Sequence, residues 1–322
     1  LDYDEALRET AKRLKIKNAV VAEAAFSWQS LFIRADIIIK NGKFIDLYEV
    51  KSKSSDGDDL DFITRRGAPR ITAAWTPYLY DIAFQKHVLT KSLAAQNLKV
   101  RAHLVLVDKS KIATVEALNQ KFKILKTGDR TIIEIAPGLT KQALGDPILK
   151  IQNVDEVIQR IWDELPVPND YNENMNFVDF VNLCSDTYSK GTRVFAPLGR
   201  KCKECQFVNR DPKANIQKSG FHECWKNKTG YDNAMLDKCL VLDLWGGLMG
   251  SRSAVQELIS QGKYLLENVS ERDIEPKSQS KAYIGLSPHE RRMEQITRVK
   301  NNVKDSYFDK QGLKKEMAAW IY

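Results

Sequence analysis

Cysteine and histidine are scarce in this chain, and long apolar runs are missing from it. Five cysteines among 322 residues are too few, and odd in number, for a disulfide-dense scaffold. With no secretory leader ahead of them they point to a reducing, cytoplasmic setting and to metal or cluster use. No apolar run approaches the ~18–20 residues that a membrane-spanning helix needs, so we expect no membrane partner. No segment recurs at a fixed period, which excludes solenoids and propellers. The sequence enters a helical pattern directly at Leu1, without initiator methionine or signal peptide, and we therefore expect residues upstream of it.

What the chain does contain is an excess of positive charge. Fifty Lys and Arg against 42 Asp and Glu give a formal net charge of +8, which favours a polyanion, nucleic acid before a membrane surface. Hydrophobic content of 43% beside 29% charged residues is that of an ordinary globular protein. The length predicts two domains or one elaborated domain.

The most informative stretch is residues 36–53. Leu31 to Ile39 is rich in β-branched and apolar residues, Asn41-Gly42 is a strong hairpin signal, and Phe44 to Lys51 returns as the partner strand. Residues 19–26 form a strand ahead of this hairpin, and residues 3–15 form a helix ahead of that strand. A polar loop spans 52–70, with Asp56, Asp58, Asp59 and Asp61 on a solvated face. Leu79, Ile82, Ala83, Lys86 and Leu89 recur at helical spacing within 71–93, entered through Thr76-Pro77, and residues 98–107 form a strand that becomes fully apolar, hence central. Residues 122–125 and 131–135 form a second hairpin. From about 150 the pattern is helical (154–165, 176–189, 253–266, 288–303), with Val241 to Trp245 as a short strand. The fold class is α/β: a mixed central sheet flanked by helices, with a mainly helical C-terminal region.

The hairpin carries chemistry. Alternation puts Glu49 and Lys51 on one face, and Asp36 waits on the preceding strand. Asp36 and Glu49, with water and the backbone carbonyl of Val50, make an oxygen-rich site for Mg²⁺ or Mn²⁺. Lys51 can orient or help deprotonate an attacking water and offset charge on a phosphate. The plainer alternative is an exposed cross-strand ion pair contributing under ~1 kcal/mol. An acid-x-Lys tripeptide is itself common: Asp211-Pro212-Lys213 and Glu275-Pro276-Lys277 also satisfy it, but their prolines keep them out of strand interiors. The following helix adds Asp81 and Gln85, one turn apart on a shared face.

Arg34-Ala35-Asp36-Ile37, Tyr48-Glu49-Val50-Lys51-Ser52 and Tyr80-Asp81-Ile82-Ala83-Phe84-Gln85 together resemble the second, third and glutamine motifs of the PD-(D/E)XK nucleases. The branch most resembled is the RecB-like one with iron–sulfur-type cysteines. The resemblance covers residues 20–107. It implies a restriction-endonuclease-like core and a metal-dependent DNA nuclease acting in repair, recombination or defence against foreign DNA. In that case Asp36 and Glu49 are metal ligands, Lys51 is catalytic and Gln85 is its support. The family also carries an upstream acid or histidine, for which Glu23 and Glu9 are candidates. Leu89 stands where the family usually has tyrosine. A nucleic-acid-binding module without activity, or a cluster- or zinc-stabilised scaffold, are the alternatives.

Cys202-Lys203-Glu204-Cys205, with Cys224 further on, is a CxxC and a third cysteine, which suits zinc with His222 as fourth ligand. By the same resemblance, these three match the late triad that helps hold a [4Fe–4S] cluster in RecB-like nucleases. Cys184 and Cys239 read as core thiols, and His87 and His103 as packing residues. Residues 288–304 form a basic helix suited to a nucleic-acid backbone. The order of segments also resembles large bacterial proteins whose next domain is exonuclease-like, of the DEDD type. We therefore expect a nuclease core over 1–150, a helical, cysteine-containing segment over 151–250, and over 251–322 a helical tail leading to a downstream domain.

Overall fold

Local signals start the first helix. Asp2 caps it by accepting the Asp4 N–H at 3.0 Å, and Asp4 and Glu5 in the first turn oppose Lys12 and Arg13 in the last. That distribution complements the helix dipole of α1 (Tyr3–Leu14). Three antiparallel strands follow, β1 (Asn18–Trp28), β2 (Leu31–Asn41) and β3 (Phe44–Ser55), then α2 (Thr76–Ser92) and β4 (Lys99–Asp108). The separate hairpin β5 (Phe122–Thr127) and β6 (Arg130–Ile135) precedes β7 (Leu149–Asn153), α3 (Asp155–Asp163) and α4 (Phe177–Ser189). The five-stranded sheet has the order β1-β2-β3-β4-β7. Only β3 and β4 are parallel, and α2 is the crossover between them. The sheet is therefore mixed and flanked by helices, in an α/β architecture.

This computed structural model describes residues 2–56, 60–65, 67, 69–128, 130–164, 167, 175–192, 196–209, 219–246, 254–276 and 285–318. Asp58, Asp59, Asp211-Pro212-Lys213 and Lys277 lie outside them. The chain divides into two units, Leu1–Arg193 and Val194–Tyr322. The boundary expected at 150 falls inside the first unit. The reason is packing: β7 pairs with β4, and Val157, Ile158 and Ile161 of α3 and Phe177 and Val181 of α4 join the core of the sheet. In that core Leu79, Ile82, Ala83, Val88 and Leu89 of α2 meet Ile38, Ile45, Leu47 and Leu104, all fully buried. The eight larger of these side chains, each contributing up to about 1.5–3 kcal/mol, hold α2 on the sheet.

The hairpin turn is displaced by one residue from the expected Asn41-Gly42. Asn41 pairs with Phe44, leaving Gly42-Lys43 as the loop, with Gly42 at φ +58°. The 52–70 loop begins later than expected, because β3 continues to Ser55. Asp61 in that loop is exposed and paired with Arg65, in keeping with a solvated face.

The second unit is helical, with α5 (Gly220–Thr229), α6 (Asn233–Leu236), α7 (Ala254–Ser260), α8 (Pro288–Lys300) and α9 (Lys310–Ala318). Ser287 and Glu290 form a capping box that starts α8, with Pro288 in its first turn. Its core gathers Trp225, Val241, Val255, Leu258, Leu266 and Ile296. The strand expected over 241–245 is instead a single 3₁₀ turn, Val241–Asp243. Among the described residues the extended pairing there is the isolated bridge Leu240–Leu265, too little to build a ladder. Cys184 and Cys239 are exposed, contrary to expectation. Helix α4 enters the core through Phe177 and Val181, and Cys184 lies a turn beyond them. Among the described residues no helix is long and apolar enough to cross a membrane.

Candidate active site

The site forms where β3 leaves both of its neighbours. The β2–β3 ladder ends at the pair Ile37–Tyr48. Two residues on, the Val50 N–H turns to Asp36 and donates to its Oδ2 at 2.8 Å. On the other side, β3 stays in register with β4 up to Val50–Val105 and regains it at Ser54–Val107. Lys51, Ser52 and Lys53 thus stand against Leu106 alone. Such bulges re-aim side chains and recur beside active sites. Here the bulge begins at Lys51.

Four side chains then close a network. The Lys51 ammonium donates to Glu49 Oε1 and to Asp81 Oδ2, each at 2.6 Å. Gln85 Nε2 donates to Glu49 Oε2 at 2.8 Å and to Asp81 Oδ1 at 3.1 Å. Helix α2 presents Asp81 and Gln85 four residues apart, so one turn of helix supplies both partners. The Glu49 side chain is 8% exposed and that of Lys51 18%, against 38% for Asp81. The plain alternative of an exposed ion pair is therefore excluded for Glu49–Lys51. Gln85 is buried, and among the described residues its Oε1 has no hydrogen-bond partner.

Burial sets the electrostatics. It pushes the Glu49 carboxyl up, past the opposing pull of the Lys51 and Gln85 hydrogen bonds, and the charge of Asp36 adds to the rise. For Lys51, burial acts to lower the pKa, but its hydrogen bonds to Asp81 and Glu49 outweigh it and the net direction is up. The two partners therefore pull against each other. At neutral pH the charge-assisted 2.6 Å contacts decide, and Lys51 is an ammonium between two carboxylates. In this arrangement it is a fixed cation that can orient water or neutralise an anion. It is not a proton acceptor.

Of the residues that sequence reasoning named, Glu49, Lys51 and Gln85 come together in this network. Asp36 is half-buried and meets the others through Val50. Val50 itself is exposed. Glu23 stands apart from them. The β1–β2 register steps from Ala22–Ile37 to Ala24–Ala35, so Glu23 lies across from Asp36 at an interruption of the ladder, with φ +52°. A left-handed backbone at a side chain of this kind costs on the order of 1–3 kcal/mol. Its carboxylate is 60% exposed and pairs with Arg34 at 2.9 Å, not with the Glu49 network. Glu9 is exposed on α1, 3.9 Å from Lys12.

Three features were missed. Asp81 contacts Lys51 directly, which its spacing from Gln85 only hints at. Lys53 lies 4.7 Å from the Trp75 ring and 5.3 Å from that of Tyr78, beside the bulge. On the opposite face, buried Asp46 takes two 2.6 Å bonds from Arg101 and one of 3.1 Å from His103, whose ring stacks on Tyr48. Parallel pairing of Asp46 with Arg101 and Tyr48 with His103 builds this cluster. His87 is buried among Trp28, Trp162 and Phe177, a packing role as expected.

Among the described residues no three His, Cys, Asp or Glu side chains gather as a ready-made metal cage. Magnesium does not require one: it keeps several waters and takes one or two carboxylates. The donor chemistry at Asp36 and Glu49 fits, since carboxylate oxygens are the donors such an ion takes, and it would offset both the burial that chiefly raises Glu49 and the smaller push from the charge of Asp36. In the second unit, Cys202 and Cys205 are half-buried on the 3₁₀ turn Arg200–Glu204 and its end, and Cys224 is exposed on α5. Burial pushes the Cys202 thiol up, and Cys205 and Cys224 push it the same way. His222 Nδ1 is engaged by Ser219 Oγ at 2.7 Å. Compared with protein-family models, with curated proteins and with solved structures, the chain matches none.

Proposed function

We propose that the first unit is a metal-dependent deoxyribonuclease of the PD-(D/E)XK type, hydrolysing phosphodiester bonds in DNA. The observation that carries this reading is the Glu49–Lys51–Asp81–Gln85 network at the point where β3 parts from β2 and β4. A core strand end carrying a buried acid, a lysine cation and a second acid opposite is costly for stability alone. It suits phosphoryl chemistry, which asks for positioning and charge more than for covalent catalysis.

Asp36, Glu49 and the Val50 carbonyl would hold Mg²⁺ or Mn²⁺. When bound, that ion activates water and neutralises charge on the phosphate. The chain's own residues do the rest. Lys51, held as an ammonium, orients the water and offsets charge developing on the phosphate. Gln85 fixes the Glu49 carboxylate from α2. Lys53, lying against Trp75 and Tyr78, adds a cation next to the bulge that suits a DNA backbone. For the second unit the proposal is metal or cluster binding through Cys202, Cys205 and Cys224.

One observation favours a second reading, DNA binding without cleavage: the Glu23 carboxylate is tied to Arg34 and does not join Asp36 and Glu49. The separating experiment incubates linear and closed circular DNA with Mn²⁺ or Mg²⁺, comparing wild type with Lys51→Ala and checking that both are folded. Cleavage by wild type alone supports the nuclease. Equal cleavage by both, or binding with no cleavage by either, would sink it.

A further inference from the structure

We propose that Asp81 is a positioning residue, fixing the Lys51 ammonium beside Glu49 from one carboxylate oxygen and orienting the Gln85 amide from the other. The inference rests on the nuclease reading for its catalytic consequence, but its geometric part stands by itself. The groups around Lys51 come from three elements of the fold. Glu49 lies on the same strand, two residues back, and Asp81 comes from α2, each 2.6 Å from Nζ. The Tyr78 ring is 6.0 Å away, on the same helix as Asp81. Asp36 on β2 reaches the region through the Val50 N–H.

Lysine needs such a brace at this place. Its strand has left both ladders, so the backbone of Lys51 lies in a bulge with no partner in register on either side. The side chain has four rotatable bonds, and one carboxylate on the same strand fixes its head only along one line. Asp81, from a helix buried against the sheet, supplies the second line. Lys51 is thereby pinned between two elements of the fold. The same carboxylate takes the Gln85 amide at 3.1 Å, so Gln85 bridges Asp81 and Glu49 as Lys51 does. The four side chains form a closed ring of hydrogen bonds, Glu49–Lys51–Asp81–Gln85–Glu49. Asp81 is its most exposed member for which a side-chain exposure bears on the bond. It can be altered there with the least damage to the core.

The test uses the full chain and Asp81→Asn. Asparagine keeps an oxygen to accept from Gln85, but its amide nitrogen cannot accept from the ammonium. Two readouts are needed. The first is the ¹⁵Nζ order parameter of Lys51, measured without metal. The second is the kcat and KM for DNA cleavage in Mn²⁺, taken for Asp81→Asn, Lys51→Ala and the double variant. We expect the ammonium to loosen in Asp81→Asn, with kcat falling about 10²-fold at nearly constant KM. We also expect no further loss when Asp81→Asn is added to Lys51→Ala, because Asp81 acts through the lysine. Asp81→Glu should restore part of both. An unchanged Lys51 order parameter overturns the proposal, and so does a full additive loss in the double variant. If wild type cleaves no DNA while the ammonium still loosens in Asp81→Asn, the nuclease reading fails and the brace on Lys51 is upheld.

Discussion

Replacing Lys51 by alanine tests the electrostatics of the site without reference to any substrate. The Glu49 carboxylate is 8% exposed and loses the cation paired with it, keeping Gln85 at 2.8 Å. Breaking a buried pair from one side typically costs about 3–5 kcal/mol. The carboxylate has an escape, because it can take up a proton. That escape costs about 1.4 kcal/mol for each pH unit above the ordinary glutamate value near 4.3, hence about 3.7 kcal/mol at pH 7 and about 1 kcal/mol at pH 5. The destabilisation of Lys51→Ala should therefore be about 3 kcal/mol at pH 7 and shrink toward pH 5. The sign follows from the direction already set by burial, which raises Glu49. A raised acid holds its proton longer in the folded state. Stability is then present at low pH and is lost as pH rises from the unfolded value through the folded one. Urea unfolding of wild type and variant across this range, followed by tryptophan fluorescence, measures it, provided the m-value of the moved transition stays constant. A difference that does not change with pH, or one under about 1 kcal/mol at pH 7, refutes the claim that Glu49 depends on Lys51.

Asp46→Asn should destabilise by about 2 kcal/mol at neutral pH, since it replaces the acceptor of two Arg101 bonds and one from His103. Burial acts to raise Asp46, but Arg101 and His103 outweigh it and hold it low. Its contribution is thus present above the ordinary carboxylate range and fades only in stronger acid, a course that acid unfolding of the pair of proteins will trace. Gly42→Ala should cost about 1 kcal/mol by thermal unfolding, entirely from its φ of +58°, because no atom lies within 4 Å of the added Cβ. Serine at Cys202, Cys205 and Cys224 together should abolish bound iron or zinc in elemental analysis of anaerobically purified protein. Unchanged metal content would assign that metal elsewhere.

Much of the first unit was legible because period and turn chemistry agree there. The β-forming run of Phe44 to Lys51, the glycine turn and the helical recurrence of Leu79, Ile82, Ala83, Lys86 and Leu89 in α2 each follow from rules a single sequence can express. Glu49, Lys51 and Gln85 lie together, with Asp36 bonded to the Val50 N–H beside them, because the hairpin and the crossover helix constrain them to one strand end. What escaped was non-local. Strand β7 is five residues long, and it exists because β4 offers it an edge. The bond from Lys51 to Asp81 spans thirty residues and depends on how α2 seats on the sheet. Glu23 carried the right chemistry at the right register, but Arg34, two residues from Asp36, competes for its carboxylate. In the second unit, the apolar 241–245 resembled a strand by composition, and with no neighbouring sheet it became a turn. Cys184 shows the limit of periodicity from the other side: the helical spacing was correct, but α4 leaves the core before reaching it.

The central claim is that Asp36 and Glu49 support phosphodiester hydrolysis at the end of β3. Its most direct test is cleavage of linear DNA in Mn²⁺ by wild type and by Asp36→Asn. That substitution removes the half-buried acid while leaving the Glu49–Lys51–Asp81–Gln85 ring in place. The account predicts metal-dependent cleavage by wild type, abolished by chelation, and a rate at least about 10²-fold lower in Asp36→Asn. Cleavage at equal rates by the two proteins, or cleavage that persists after chelation, would contradict it.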